Sequence, residues 1–314
     1  MPVRIGYPCI NLSVPCRGNR TFWLASYSEA NIISTVGRNL ACLRMILEYN
    51  AAHGILFFRI TSDLVPFASH SVCVFDWKEY FLPEFKAIGE LIRMHEMRIS
   101  MHPDQFVLIS ALDPDIVQRS VHELEYHASV LDLMGLDNSA KIQIHIGGVY
   151  GNRSGSVGRF IKQYGNLPPS VQRRLVIEND DRNFTVKDCI PVSDQTGIPV
   201  LFDIFHHELN GAGELIDEVL STVALSWKKN DGIPMVDYSS QEPGGRRGNH
   251  AARLDPNHFK AFLDRSRPFD FDVIFEIKEK ERAANRALEI GRNDERIFLI
   301  NLQEISGSRH ITSA

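Results

Sequence analysis

The sequence predicts an α/β fold, a single (β/α)8 TIM barrel. Two observations lead to this prediction: eight short apolar runs recur along the chain, and longer amphipathic stretches separate them. Runs that are apolar almost throughout indicate strands buried on both faces, as in a parallel sheet covered by helices. Eight such strands alternating with helices are typical of this barrel.

The eight runs are too short for helices and are rich in β-branched or aromatic residues, which favours strands. They are residues 3–7, 54–60, 97–102, 141–146, 174–179, 198–203, 233–238 and 272–277. Apolar residues at helical spacing, behind an Asp or Pro start, predict helices over 83–96, 115–135 and 255–266. No low-complexity linker divides the chain. We therefore expect one barrel domain over residues 1–290 and a tail over 291–314, in which 296–305 packs as an additional element of unassigned type.

Composition narrows the class of protein. The 314 residues are 44% hydrophobic and 23% charged, with a formal net charge of −5. This acidic balance argues against nonspecific coating of nucleic acid, although the metal ions of a nuclease would add positive charge. Five scattered cysteines without a CxxC pair fit reduced thiols better than a disulfide framework. Because no signal peptide or membrane span is evident, we expect a cytoplasmic protein without a membrane partner.

Residue types that bind metal ions stand at or just after the ends of these strands. They are His102, His145, Glu178, Asp203, His206, Asp237, His250 and Glu276. The C-terminal strand ends of such a barrel converge on one rim, where active sites are built. Imidazole together with carboxylate suits zinc, manganese or iron. Because roughly four to six donors fill one coordination shell, the eight residues predict a cluster of two or three ions at this rim, with Glu178 as the bridging carboxylate.

A structural role is the simpler interpretation of any single histidine. Four histidines and four acids on consecutive strand ends reverse that preference, because burying the acids without cations would be very costly. The remaining histidines in helical segments are assigned structural roles: His53, His95, His122, His127 and His258. His207 is left out, since only one of the neighbouring pair His206 and His207 need face the rim.

Several motifs together resemble the UV damage endonuclease family. They are 5-IGYPCIN-11, 59-RITSDLVPFASH-70, 99-ISMHPDQFV-107, 142-IQIHIGG-148, 176-VIEND-180, 202-FDIFHH-207, 237-DYSSQ-241 and 273-VIFEIKEKE-281. The resemblance covers nearly the whole chain, and its second and third motifs are specific. It implies a (β/α)8-barrel, metal-dependent DNA repair enzyme that nicks the backbone 5′ to ultraviolet photoproducts.

The resemblance also implies roles for individual residues. It implies metal ligation by His102, His145, Glu178, Asp203, His206, His250 and Glu276. Gln105 and Phe106 correspond to a wedge that probes the damaged duplex, and Tyr7 and Asn11 to contacts near the lesion. His70 resembles a catalytic-site histidine that is either a ligand or a substrate contact.

Two departures from the family are visible. Some members have Lys-x-His where this chain has Met235 and Asp237, so Asp237 would have to replace an imidazole and the third ion is in question. Phe106 stands where some members have Tyr, which removes only a hydroxyl from a stacking group.

The wedge and the basic loops are consistent with DNA binding. Unstacking nucleotides costs less free energy in damaged than in intact DNA, and an aromatic ring can stack where bases have left. The alternative for 104-DQF-106 is a turn with Phe106 in the core. Arg246, Arg247 and Lys278 lie in loops after strands seven and eight, where as a set they could hold phosphates.

We therefore expect a DNA repair endonuclease with two or three divalent ions, Mn²⁺ first, with Zn²⁺ or Co²⁺ as alternatives. A metal-bound hydroxide would attack the phosphorus in line, a second ion would stabilise the leaving 3′ oxygen, and Lys278 would share the developing charge. The expected partner is damaged double-stranded DNA, bound by a monomer at the nucleoid.

Three alternatives stay open. The first is an apurinic endonuclease of the three-metal barrel type, and the second is a divalent-metal sugar isomerase or epimerase, which needs no DNA wedge. The third is a barrel that keeps its metals only as structural elements and acts as a binding partner.

Overall fold

The computed structural model describes residues 3–297 and confirms the predicted barrel. Eight parallel strands pair in sequence order, and β1 pairs with β8 to close the ring. The strands are β1 Ile5–Pro8, β2 Phe57–Ile60, β3 Arg98–Met101, β4 Lys141–His145, β5 Leu175–Glu178, β6 Val200–Asp203, β7 Met235–Tyr238 and β8 Asp272–Phe275. Each lies at or within a few residues of its predicted range.

Helices cover the outside of the ring. They are α1 Glu29–Ala52, α2 Trp77–Tyr80, α3 Leu82–Met94, α4 Pro114–Leu133, α5 Arg153–Asn166, α6 Pro169–Gln172, α7 Val186–Thr196, α8 Ile204–Asn210, α9 Ile216–Ser226, α10 Pro256–Arg265 and α11 Glu281–Ile290. The three predicted helices are confirmed as α3, α4 and α10. Asp113 and Asp255 cap α4 and α10, each directly before a proline in the first turn, as the sequence signal requires.

The barrel interior is filled by side chains in layers. Phe57, Val176, Leu201, Met235 and Ile274 form a separate buried cluster inside the ring. Because alternate strand residues face the same side, the residues two positions further along point into the next interior layer, towards the C-terminal rim. These residues are Arg59, Glu178, Asp203, Asp237 and Glu276, so the metal-ligand types lie directly above the apolar cluster.

A disulfide bond joins two of the five cysteines. The expectation of reduced thiols is wrong for one pair: Cys16, in the loop after β1, is bonded to Cys42 of α1, 26 positions away. Nothing local marks this pair, because tertiary folding brings the two residues together.

Of the predicted tail, Ile297 pairs with Val3, whereas residues 298–314 lie outside the described residues. Within residues 3–297, no helix has the length and apolar character to cross a membrane.

Candidate metal centre

The strand ends deliver most of the predicted ligands to one rim. His145, Glu178 and Asp203 are the last residues of β4, β5 and β6, and the strand register pairs His145 with Glu178. Asp203 also caps α8, where its carboxylate accepts a hydrogen bond from the backbone N–H of His206. The cap therefore turns the chain so that both side chains stay at the rim.

Two groups of candidate ligands share Glu178. One comprises His102, His145 and Glu178, and the other comprises Glu178, Asp203 and His206; within each group one ligand atom per residue lies within 4.8 Å of the others. Glu178 Oε2 lies 3.5 Å from His102 Nε2 and 3.8 Å from His145 Nε2. Its other oxygen, Oε1, lies 3.3 Å from His206 Nδ1. This carboxylate therefore faces both groups, which is the position of a bridging ligand.

His250 and Glu276 extend the cluster on its far side. His250 Nδ1 lies 3.7 Å from Glu276 Oε2, and the centroids of the His206 and His250 rings are 6.4 Å apart. The seven residues that the family resemblance names thus form one continuous array around the rim.

Burial and charge set the protonation of these groups. Burial lowers the pKa of His102 to about 4, so this imidazole is neutral at pH 7, the form that binds metal. Burial would raise the pKa of Glu178, but the imidazoles of His145, His206 and His102 outweigh it and hold that pKa below its usual range. Burial opposes a charge on His206, yet Asp203 and Glu178 raise its pKa to about 11. The carboxylates therefore favour a cation at this position.

Second contacts orient the rings for ligation. The Nδ1 atoms of His206 and His250 each lie 3.0 Å from a backbone carbonyl, and that of His145 lies 3.4 Å from one. In His145, donation from Nδ1 leaves the lone pair of Nε2, which lies 3.8 Å from Glu178 Oε2, for an ion, the common arrangement at metal sites. Among the described residues, Asp203 Oδ2 is buried without a hydrogen-bond partner. A divalent ion would satisfy this oxygen, so the residues fit a metal cluster.

The eighth predicted ligand, Asp237, is placed differently. It is fully buried, and both of its oxygens lie 2.6 Å from Nη2 of Arg59. Arg59 also pairs with Glu276, whereas Gln143 links Glu178 and Asp237. The predicted site residues do not include Arg59 or Gln143, although a charged or amide side chain inside an otherwise apolar strand is a signal visible in the sequence.

Tyr7 and Asn11, for which the family resemblance implies contacts near the lesion, are buried. Tyr7 is 0% exposed, and its hydroxyl donates to Asn50 Oδ1 at 2.6 Å. Asn11 is also buried; it donates to the Tyr7 hydroxyl and accepts from the backbone of Ser13 and Val14. Because both side chains are hydrogen-bonded inward, in this conformation they shape the loop after β1.

The wedge residues are on the surface. Phe106 is 75% exposed and Gln105 is exposed beside it, so the alternative that places Phe106 in the core is wrong. Phe106 and His70 line the same cavity of about 810 Å³, between the loop after β2 and the loop after β3. His70 is exposed and accepts a hydrogen bond from the Val72 backbone. The structure therefore places His70 with the wedge and not within either three-residue ligand group.

The basic residues predicted for the rim loops are exposed. Arg246 and Arg247 lie in the loop between β7 and α10, where Arg247 donates to the carbonyl of Leu209, and Lys278 follows β8. All three are on the side of the barrel that carries the candidate ligands, because each follows the C-terminal end of a strand.

Fold and site together define the class: a TIM barrel with a histidine–carboxylate candidate metal centre at its C-terminal rim. The chain belongs to the UV-endonuclease UvdE family, which matches residues 3–305, and is thus an enzyme of the endonuclease class. The UV DNA damage endonuclease of Clostridium perfringens (strain 13 / Type A) is 34% identical over 91% of this chain and 70% of the relative. That of Bacillus cereus (strain Q1) is 31% identical over 100% of this chain and 99% of the relative.

Two solved structures superimpose on this chain. The crystal structure of SacUVDE superimposes with a TM-score of 0.90 at 40% identity, over 94% of this chain and 100% of that one. Endonuclease IV from Thermus thermophilus superimposes with a TM-score of 0.56 at 16% identity, over 92% and 97% of the two chains. The second likeness shows the barrel fold alone.

Proposed function

We propose that this protein is a metal-dependent DNA repair endonuclease that nicks the backbone of damaged double-stranded DNA 5′ to ultraviolet photoproducts. The observation that carries the proposal is the position of Glu178, whose two oxygens face two separate ligand groups. The membership of this chain in the UvdE family and the names of its relatives support DNA with ultraviolet damage as the substrate.

Divalent ions, Mn²⁺ first, would supply a nucleophilic water at neutral pH and neutralise charge on the phosphate. His102, His145, Glu178, Asp203 and His206 would hold them, with His250 and Glu276 at the far side. The exposed Lys278 would contact the scissile phosphate and share its developing negative charge.

Recognition would depend on the loops above the cluster. Phe106 would stack in the gap left by unstacked nucleotides while Gln105 occupies vacated hydrogen-bonding space, and the adjoining cavity would receive displaced bases. Arg246 and Arg247 would hold backbone phosphates without reading sequence. We expect a monomer to suffice, acting where the DNA is, in the cytoplasm at the nucleoid.

An apurinic endonuclease is the main alternative, since the same barrel serves such an enzyme. The exposed Phe106 favours lesion probing by stacking but does not specify the lesion. A sugar isomerase or epimerase is disfavoured, because it needs neither an exposed aromatic wedge nor basic rim loops.

The test is a nicking assay on supercoiled plasmid that is untreated, ultraviolet-irradiated or depurinated. The purified protein is assayed after chelation and again after Mn²⁺ or Zn²⁺ is restored. We expect metal-dependent nicking of the irradiated plasmid alone, at sites 5′ to dimers. Nicking only of depurinated plasmid would transfer the assignment to the apurinic alternative, and nicking that persists in chelator would contradict the role of the metals.

A further inference from the structure

A buried guanidinium lies among the candidate metal ligands. Arg59 is the third residue of β2 and is 2% exposed. Its Nη2 lies 2.6 Å from both oxygens of Asp237, and its Nη1 donates to Glu276. A guanidinium does not lose its proton in proteins, so Arg59 is a permanent cation inside the carboxylate cluster.

Asp237 is fully engaged by this cation and its neighbour. Its Oδ2 also accepts a hydrogen bond from Gln143 at 2.7 Å, and the same amide nitrogen donates to Glu178 at 2.8 Å. Beneath Arg59 the barrel interior is filled by Phe57 and its apolar neighbours. An ion on Asp237 would have to displace the guanidinium from both of the oxygens that it contacts.

The arrangement of the remaining ligands provides for two ions. The two ligand groups contain three residues each and share one carboxylate. Four carboxylates face this region: those of Glu178, Asp203 and Asp237, which are buried, and that of the partly exposed Glu276. Arg59 and two divalent ions would exceed their negative charge by one, which one phosphodiester balances. A third ion would add two further positive charges beside the guanidinium, at a site where like charges repel strongly.

We propose that Arg59 takes the place of a third divalent ion, so that the centre binds two ions and Asp237 positions Arg59 instead of binding metal. This inference rests on the proposed metal-dependent function. Arg59 is an internal cation that chelators cannot remove, and its planar fork fixes the orientation of Glu276 beside His250.

Metal content tests the inference without measuring cleavage. The chain and its variants are loaded with Mn²⁺, desalted and analysed by mass spectrometry of the metal, with circular dichroism as the check on folding. We expect about two Mn²⁺ per chain in the unmodified protein, the same in Asp237→Asn, and about one in Asp203→Asn. About three ions in the unmodified protein, with one lost in Asp237→Asn, would overturn the inference and leave the proposed function standing.

Removal of the guanidinium provides the reverse test. Arg59→Gln leaves Asp237 and Glu276 without their cation, so we expect it to take up one additional Mn²⁺ that the double variant Arg59→Gln/Asp237→Asn does not take up. An unchanged metal content in a folded Arg59→Gln protein would contradict the replacement. If Arg59→Gln does not fold, the Asp237→Asn comparison decides alone. Absence of any bound ion in the unmodified protein would overturn both the inference and the proposed function.

Discussion

Glu178 Oε1 lies 3.3 Å from His206 Nδ1, while the opposite oxygen of the same carboxylate points towards His102. A single side chain at the end of β5 thus connects ligands that come from the loop after β3 and from the first turn of α8. This connection makes the two halves of the candidate centre depend on each other.

Glu178→Gln is expected to lower the rate of cleavage by more than about 100-fold, because loss of a shared ligand should exceed the 10- to 100-fold cost of changing an outer partner. DNA affinity should change little, since Glu178 is buried below the surface that DNA would contact. Rates come from nicking of irradiated plasmid and affinity from gel shift. Asp181→Asn, on a rim carboxylate outside both ligand groups, is the matched control; equal activity of Glu178→Gln and this control would refute the shared role.

Phe106→Ala is expected to weaken binding to a dimer-containing duplex by roughly 10- to 100-fold, the value of one lost aromatic–base stack, and Phe106→Tyr should restore it. Thermal stability should not change, because the ring is 75% exposed. Fluorescence anisotropy with damaged and undamaged duplexes measures the effect. Leu112→Ala, at another exposed apolar residue of the rim, provides the control. A loss that is the same for both duplexes would mean that Phe106 does not discriminate damage.

Metal removal is expected to lower the melting temperature. The carboxylates of Glu178 and Asp203 are buried and repel one another, and ions that bind only the folded chain stabilise it by about 2.7 kcal/mol at a concentration 100 times their dissociation constant. Thermal melting in chelator and in Mn²⁺ measures the increment. In Glu178→Gln, the rise in melting temperature on adding Mn²⁺ should be smaller. An equal rise in the variant and the unmodified protein would place the stabilising ions elsewhere.

Stability is expected to fall as the pH is lowered from about 6.5 to about 4, in part because of His127. This imidazole is 0% exposed; Nδ1 donates to the Glu123 carbonyl, and Nε2 lies 3.1 Å from the Ser62 hydroxyl, which donates to the His102 carbonyl. Burial lowers the pKa of His127 from 6.5 to about 4. Between pH 6.5 and pH 4 the unfolded chain binds a proton that the folded chain does not. The free energy of unfolding would therefore be lower by roughly 3 kcal/mol at about pH 4.

Urea unfolding at pH 7 and at pH 4.5 measures this dependence in the unmodified protein and in His127→Gln. The variant should be less stable at pH 7 and should lose less on acidification. Two proteins with the same pH dependence would show that His127 does not contribute. His122, on the same helix and outside these contacts, offers the matched control His122→Gln.

The barrel and most of the rim follow from local patterns. Strands such as Leu175–Glu178 are apolar runs that end in a ligand type, and both features are visible without knowing the partner strand. The predicted convergence of His145, Glu178 and Asp203 needed only the rule that parallel strand ends share a rim.

What could not be predicted depends on which way a side chain faces in the closed ring. In the sequence, Arg59 is a single charged residue in an apolar strand. Only the register of β2 against its neighbours places it between Asp237 and Glu276. Tyr7 is a strand residue that faces the helices outside the ring, and its hydrogen bond to Asn50 depends on the position of α1. The Cys16–Cys42 pair likewise depends on where a loop crosses a helix.

The barrel closes between its two ends: the backbone N–H of Arg4 donates to Asp272 Oδ1, across 268 positions of sequence. A chain that is still being synthesised carries the ligands of β4, β5 and β6 long before β8 leaves the ribosome. Glu276, and with it one partner of Arg59, arrives last. A nascent chain would therefore lack the complete set of candidate metal ligands until β8 has been synthesised.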